Sequence, residues 1–211
     1  PEVDGYQQFI SSRGGSSNAY TAGNHTNYFF DIGADHLEPA LDRFAQFFIA
    51  PLLDPDYVER EANAVHSEYQ LQLKDDNWRA QAVNRAAANP EHPYSGFNIG
   101  SLQTLSGDGI HADVVEFFEA NHSADQMALV VYGQEDLDTL EGYVRERFAA
   151  IENKRLGAAP ALPELLTSEQ LGVVLRYPSQ RQRWSVSFGF PIEPMDPYMG
   201  RRPDAYIANL I

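Results

Sequence analysis

The 211-residue sequence predicts a mixed α/β fold, a β-sheet with helices packed on it, and three observations carry that expectation. Apolar residues recur at steps of three and four in several long segments, which is the stripe of a core-facing helix. Two short runs around Gly23-Asn24 read as the strands of a hairpin. From about residue 112 onward, helix and strand patterns alternate, as they do where helices lie on a mixed or parallel sheet. An apolar fraction of 43% with 12% aromatic residues supplies the material for a core and excludes a disordered chain.

The elements follow in order. Tyr6, Phe9 and Ile10 predict a short helix over 5–13, which Gly14-Gly15 ends. Residues 16–21 and 25–32 are the hairpin strands, with Tyr28, Phe30 and Ile32 on one face. Asp35 is expected to cap a helix whose buried stripe is Leu37, Leu41, Phe44 and Phe48, with Pro39 tolerated in its first turn. Asp54 as cap and Pro55 at the first helical position open a second long helix, expected to reach about Lys74. Asp75-Asp76-Asn77 interrupts it, and a helix resumes from Trp78 to Ala88 before Asn89-Pro90 stops it. Residues 89–109 read as loop. A helix (112–120), a strand (127–132) and a helix (136–151) come next. Residues 156–163 have the composition of a linker, so the chain is expected to divide into a first domain, 1–157, and a segment, 158–211, that begins a second. That segment carries two expected strands, 172–177 and 184–190, the latter alternating Trp184, Val186, Phe188 and Phe190.

Composition narrows function. Fifteen Lys and Arg against 30 Asp and Glu leave a formal charge of −15, which argues against nucleic acid and anionic membrane as partners and in favour of basic peptides. No cysteine is present, so neither a disulfide nor a thiolate metal site can form. No apolar run reaches the roughly 18 residues of a spanning helix. The sequence starts at a proline and its last stretch, 205–211, is an apolar run without a cap, so it reads as a piece of a longer chain.

The chemistry concentrates in Arg60-Glu61-Ala62-Asn63-Ala64-Val65-His66-Ser67-Glu68-Tyr69. Seven residues are close to two helical turns, so Glu61 and Glu68 share a face about 10 Å apart along the axis. Val65 lies on the same face and would leave it partly buried, where carboxylates need a partner or a metal. A solvated rim paired with Arg60 and Lys74 is the plainer reading of that spacing. His66 is rotated off this face and is expected to point to solvent. The other histidines show no i, i+3 or i, i+4 His pair, so no local two-histidine zinc motif exists. There is no G-x-S-x-G elbow, and Gly14-Gly15-Ser16-Ser17 leads into a strand where a phosphate loop would need a helix.

Several ordered blocks carry a resemblance: Gly14-Gly15-Ser16-Ser17-Asn18-Ala19-Tyr20-Thr21, His25-Thr26-Asn27-Tyr28-Phe29-Phe30, Leu41-Asp42-Arg43-Phe44-Ala45-Gln46-Phe47-Phe48 and Glu61 through Glu68. Asn89-Pro90-Glu91-His92-Pro93-Tyr94-Ser95 and Phe97-Asn98-Ile99-Gly100 belong with them. Together they resemble the insulinase/pitrilysin family of zinc metallopeptidases, strongly to about residue 154 and more faintly beyond.

The resemblance implies a pitrilysin-like metallopeptidase domain, truncated at both ends, followed by the start of a structurally similar one. It implies a zinc metalloendopeptidase whose inverted His-x-x-Glu-His motif supplies two ligands and a general base towards the water that zinc activates. Glu68 matches the third zinc ligand, and Glu61 an acidic position that orients groups around the site. Only 67 residues precede Glu68, fewer than the family's spacing, so the inverted motif is expected upstream and the 211 residues alone are expected to be inactive and zinc-free. Asn18, Ala19 and Tyr20 match the strand on which substrate is laid as an added strand, and Trp78 an aromatic lining the cleft. Implied partners are peptides held in a chamber, and the remaining domains of the parent chain. Uncovered apolar surface also predicts self-association of the isolated chain. The alternative is a non-catalytic homologue that holds peptides or serves as a structural subunit. The compartment stays open, with the bacterial periplasm or secretion as the first expectation.

Overall fold

In the computed structural model, residues 4–96, 98–107, 109–181 and 184–192 are described, and the expected apolar end at 205–211 lies outside them. They fall into two compact units: Pro1–Leu71 with Phe97–Leu162, and Gln72–Gly96 with Pro163–Ile211.

In the first unit, α1 (Gly5–Ser11) buries Ile10 and leads into the antiparallel hairpin of β1 (Ser16–Thr21) and β2 (Thr26–Asp31). The register runs from Ser16↔Asp31 to Thr21↔Thr26. Gly15 sits so close to the Asp31 carbonyl that no side chain fits there. Helix α2 (Leu37–Ile49) buries Leu37, Ala40, Leu41, Phe44 and Ala45, the stripe its periodicity predicts. Asp35, however, is not its cap: residues 34–36 form a 3₁₀ turn and no side chain caps the helix. Extra helical residues before Leu37 leave Asp35 one position inside that turn rather than at the helix boundary.

Phe44 is the hub of the aromatic packing, with ring centroids of Phe30 at 5.1 Å, Phe48 at 5.3 Å and Phe148 at 6.5 Å. Leu37, Leu41 and Leu140 form the buried cluster beside it, against which Phe30, Val131, Tyr143 and Phe148 pack. Helix α3 (Pro55–Gln72) starts as its sequence requires, the Asp56 amide donating to Asp54 Oδ1 at 3.0 Å. Helix α5 (Leu102–Leu105) is one short turn closed by a Ser101–Thr104 capping box, within what reads as loop. Helix α6 (Ile110–Asn121) precedes α7 (Leu137–Phe148), whose Thr139 amide donates to the Asp136 cap at 2.8 Å. Arg147 on α7 pairs with Glu38 on α2 at 2.6 Å, tying the two helices that flank the cluster.

The second unit is built around α4 (Asp76–Ala86). Asp75 caps it, accepting from the Asn77 and Trp78 amides, so the acidic run that reads as an interruption is the start of the helix. Chain 163–181 is fastened to this region by backbone contacts. The Asn89 side chain donates to the Glu164 carbonyl at 2.7 Å, Arg79 to the Pro178 carbonyl at 3.1 Å, and the Gln180 amide to Asp76 at 2.7 Å.

Helices with a two-stranded antiparallel sheet make the mixed α/β class expected of the sequence. Three expected strands are corrected. Residues 127–132, 172–177 and 184–190 form no ladder among the described residues. Their alternating or continuous apolar patterns are those of strands, but a strand is defined by its neighbour's hydrogen bonds, and here none is in place. No described helix is long and apolar enough to cross a membrane.

Candidate active-site face

The face of α3 that carries Glu61 and Glu68 is the exposed one. Ala62 is the helix's buried residue, with Val58, Val65 and Tyr69 half-buried along the same stripe. The expectation that Val65 would draw both carboxylates into partial burial is therefore corrected. The core stripe is centred one residue away, through Ala62, and Glu61 keeps 63% of its side-chain exposure. Arg60 pairs with it, donating from its outer guanidinium nitrogen at 3.1 Å. Glu68 is exposed and has neither a hydrogen bond nor an ion pair among the described residues.

His66 does not point to solvent. Its ring is half-buried, and Nδ1 accepts the Leu102 backbone N–H at 3.2 Å. That contact joins the middle of α3 to the first residue of α5, close in space but 36 positions away in sequence, so helical phase alone could not reveal it.

Two grooves meet beside this helix. The first, about 530 Å³, has Ser17, Asn18 and Ala19 as one wall and aromatic side chains including Phe47, Phe117 and Phe118 as the others. The second, about 420 Å³, is apolar apart from Asp54 and Glu61 and runs along Tyr57, Val58, Val65 and Leu105. Leu53 and Val114 line both. Leu53 holds a left-handed backbone (φ 43°), a strained state for a leucine, and its carbonyl accepts from His111 Nε2 at 2.6 Å. That bond anchors the strained turn that leads into α3. Neither the grooves nor this anchor is visible in the sequence, because their walls come from segments far apart along the chain.

Two residues that line the first groove, Tyr6 and His122, bury a polar atom, Oη and Nδ1, that has no hydrogen-bond partner among the described residues. Burial pushes the Tyr6 hydroxyl up to about 12. Burial likewise lowers the His122 imidazole from its ordinary value, and the ring stacks on Phe118 at 4.3 Å between centroids.

Asn18, Ala19 and Tyr20 stand together on β1. The hairpin closes with the Ala22 amide donating to the His25 carbonyl at 2.8 Å. Hydrogen-bonded pairs alternate along an antiparallel ladder, so the Ala19↔Tyr28 pair is a non-bonded one and the Ala19 N–H points away from β2. Asn18 Oδ1 accepts that N–H at 2.8 Å. Tyr20 is exposed beside His25, and it lines neither groove. Trp78 is exposed on α4, in the second unit. Thus the structure brings Asn18 and Ala19 to one groove and Glu61 to the adjoining one. Among the described residues, no three His, Asp or Glu side chains gather as a metal site.

Comparison with known proteins places these residues in context. The family profile described as Insulinase (Peptidase family M16) matches residues 1–91, and that described as Peptidase M16 inactive domain matches 110–210. The chain is 37% identical over its whole length to the protein named Insulin-degrading enzyme-like 1, peroxisomal, of Arabidopsis thaliana, of which it covers 22%. It is 43% identical over 170 residues to the Insulin-degrading enzyme of Homo sapiens, a match that takes in 78% of this chain and 17% of the relative. Among solved structures, pitrilysin superposes with a TM-score of 0.76 at 32% identity, over 81% of this chain and 18% of that one. The chain spans about a fifth of the length of the curated relatives it matches.

Proposed function

Since the chain belongs to the M16 insulinase/pitrilysin family of peptidases, we propose that it is part of a zinc metalloendopeptidase, with Glu68 as one of the metal's ligands. The observation that carries this reading is the free carboxylate of Glu68, exposed on α3 within the family-matched region. Zinc takes carboxylate oxygen alongside imidazole nitrogen, and an unpartnered Glu fits that demand without first breaking an ion pair. With no second and third ligand beside it among the described residues, Glu68 fits as one contributor to a site completed by other parts of the parent. Zinc, when bound, supplies a Lewis acid and a water acidified to a pKa of about 7.

The chain's own residues do the rest. The outward Ala19 N–H offers a main-chain donor to an extended peptide, and the exposed edge of β1 gives it a line to follow. Tyr20, next to that donor, sets a side-chain contact, while the Asn18 side chain occupies the donor until peptide displaces it. Glu61, on the wall of the apolar groove and held by Arg60, orients polar groups next to the ligand helix. Trp78 offers an aromatic surface to bound peptide. By the same reading residues 1–157 belong to the catalytic domain and 158–211 open a second. The chain passes from one unit to the other at Leu162 and Pro163, inside the 156–163 stretch, although Gln72–Gly96, which this reading keeps in the first domain, groups with the second unit. Exposed Trp184, Val186, Phe188 and Phe190 support self-association of the isolated chain.

Glu68→Gln in the full-length parent tests the assignment. The variant is expected to lose zinc by metal analysis and to fall in kcat/KM by more than the roughly 10- to 100-fold typical of an outer-sphere partner, with its circular dichroism unchanged. A variant that keeps stoichiometric zinc and full kcat/KM overturns it. A wild-type parent that holds no zinc and cleaves nothing would assign the chain to a non-catalytic, peptide-holding homologue.

A further inference from the structure

Helix α3 carries both candidate carboxylates, yet apolar packing holds it weakly. Of its 18 residues Ala62 alone is buried. The groove of about 420 Å³ has Val58, Ala62 and Val65 of α3 in one wall and Leu105, Ile110 and Val114 in the other, so open space lies where side chains would otherwise interlock. A helix packed this loosely keeps one orientation only where directional bonds fix it.

Two such bonds are present, and a histidine makes each. His111 on α6 donates from Nε2 to the Leu53 carbonyl at 2.6 Å, just before α3 begins. His66, past the midpoint of α3, accepts the Leu102 N–H on Nδ1 at 3.2 Å. The stretch from Leu102 to His111 therefore brackets the helix at its entry and again near Glu68.

The second bond stands in the better place to act on Glu68. Each residue turns an α-helix by about 100° and raises it by about 1.5 Å, so His66 and Glu68 leave nearly opposite sides of α3 at almost the same level. Fixing the back of the helix there fixes the direction in which the carboxylate leaves the front. The donor is itself held firmly. Leu102 is the first residue of α5, whose start is closed by the reciprocal contacts of Thr104 with the buried Ser101. The N–H of a first helical residue has no partner within its own helix, and the imidazole supplies one.

We propose that His66 is a positioning residue for Glu68: by accepting the Leu102 N–H, its Nδ1 sets the rotation of α3 and with it the aim of the carboxylate at the metal. The inference rests on the reading of Glu68 as a zinc ligand. Asparagine can make the same bond, because its Oδ1, like the histidine Nδ1, is an acceptor attached to Cγ. Phenylalanine keeps a ring and removes the acceptor.

Zinc affinity, measured by chelator competition, and hydrogen exchange at the Leu102 amide test this in the full-length parent. His66→Phe is expected to lose Leu102 protection and to bind zinc about 10- to 100-fold more weakly. His66→Asn is expected to restore both to near the wild-type level. Leu102→Pro deletes the same bond from its other partner. Proline is tolerated at a first helical position, and the extended backbone of Ser101 (φ −136°, ψ 166°) suits a proline after it. That variant should weaken zinc binding as His66→Phe does, and the double variant should be no weaker than the worse single one. Wild-type zinc affinity in His66→Phe overturns the proposal, as does Leu102 protection that survives it. An Asn variant as weak as the Phe one, or losses that add in the double variant, overturns it too. Glu68→Gln keeps the two readings apart. If it loses zinc while His66→Phe retains it, the positioning role alone fails; if it also retains zinc, the ligand assignment fails and the positioning role falls with it.

Discussion

Asn18 holds the amide of Ala19 with its own side chain, so the donor best placed to receive an extended peptide is already occupied. An added strand must displace that oxygen, and the displacement opposes binding by the net value of one exposed hydrogen bond, about 0.5–1.5 kcal/mol. Asn18→Ala in the parent should therefore lower KM by roughly 2- to 10-fold for an extended peptide, with kcat unchanged. Peptide-length steady-state kinetics check it, and a raised KM would mean that the Asn18 side chain touches substrate directly. The roles of Asn18 and Ala19 were legible only as a motif match. The competing bond was not, because it depends on the hairpin register, which the two-residue Gly23-Asn24 turn fixes. Glu61 and Glu68 were likewise legible as a pair two turns apart, whereas their exposure was not. The buried stripe through Val58, Ala62 and Val65 is set by what packs on α3, and shifting it by one residue turns a half-buried face outward.

Helices α2, α3 and α7 stand close to where the sequence puts them, because their hydrogen bonds are local and their apolar stripes, with the acidic starts of α3 and α7, lie in one short window. Residues 127–132, 172–177 and 184–190 have strand patterns as clear as those of β1 and β2, yet form no ladder here. Their partners are a non-local matter that no window contains. Helix α4 shows the local rule from its other side. Asp75 and Asp76 read as a break, but Asp75 caps the helix and Asp76 receives the Gln180 and Arg181 amides. Those bonds, with the Gln180 amide the largest contributor, hold the Asp76 carboxyl below the usual carboxylate range. A carboxyl with a folded pKa under its unfolded value of about 3.9 contributes stability that is complete above that pH and is lost as pH falls through the folded value. Acid should thus release the 178–181 segment from α4 below about pH 4. Protection of the Gln180 amide, its exchange relative to an unstructured amide at the same pH, is expected to fall there, and Asp76→Asn should remove the step. Protection unmoved by pH would place the fastening elsewhere.

At the scale of the molecule the formal charge of −15 is unevenly answered by cations. Among the described residues only Arg60, Arg79, Arg145 and Arg147 are ion-paired. The exposed side of α3 alone carries Asp56, Glu59, Glu61 and Glu68, and of these Glu61 lines the apolar groove. A field of one sign beside apolar walls concentrates ligands of the other sign and raises their association rate by up to about 10- to 1,000-fold at low salt. The fold alone does not dictate this preference. It follows from where the carboxylates stand relative to β1 and the grooves, and so belongs to the whole arrangement. If Glu68 holds a metal, part of this charge is neutralised, leaving Asp56, Glu59 and Glu61 as the steering groups. The full-length parent should therefore cleave a basic peptide with a higher kcat/KM than an acidic peptide of the same length and scissile residues. The advantage should shrink as ionic strength rises from about 0.01 M to above 0.1 M, where the screening length drops from about 30 Å to 10 Å. Equal rates for the two peptides at low salt would show that these carboxylates face away from the path of substrate. A preference unmoved by salt would instead locate the discrimination in a contact pair within the bound complex.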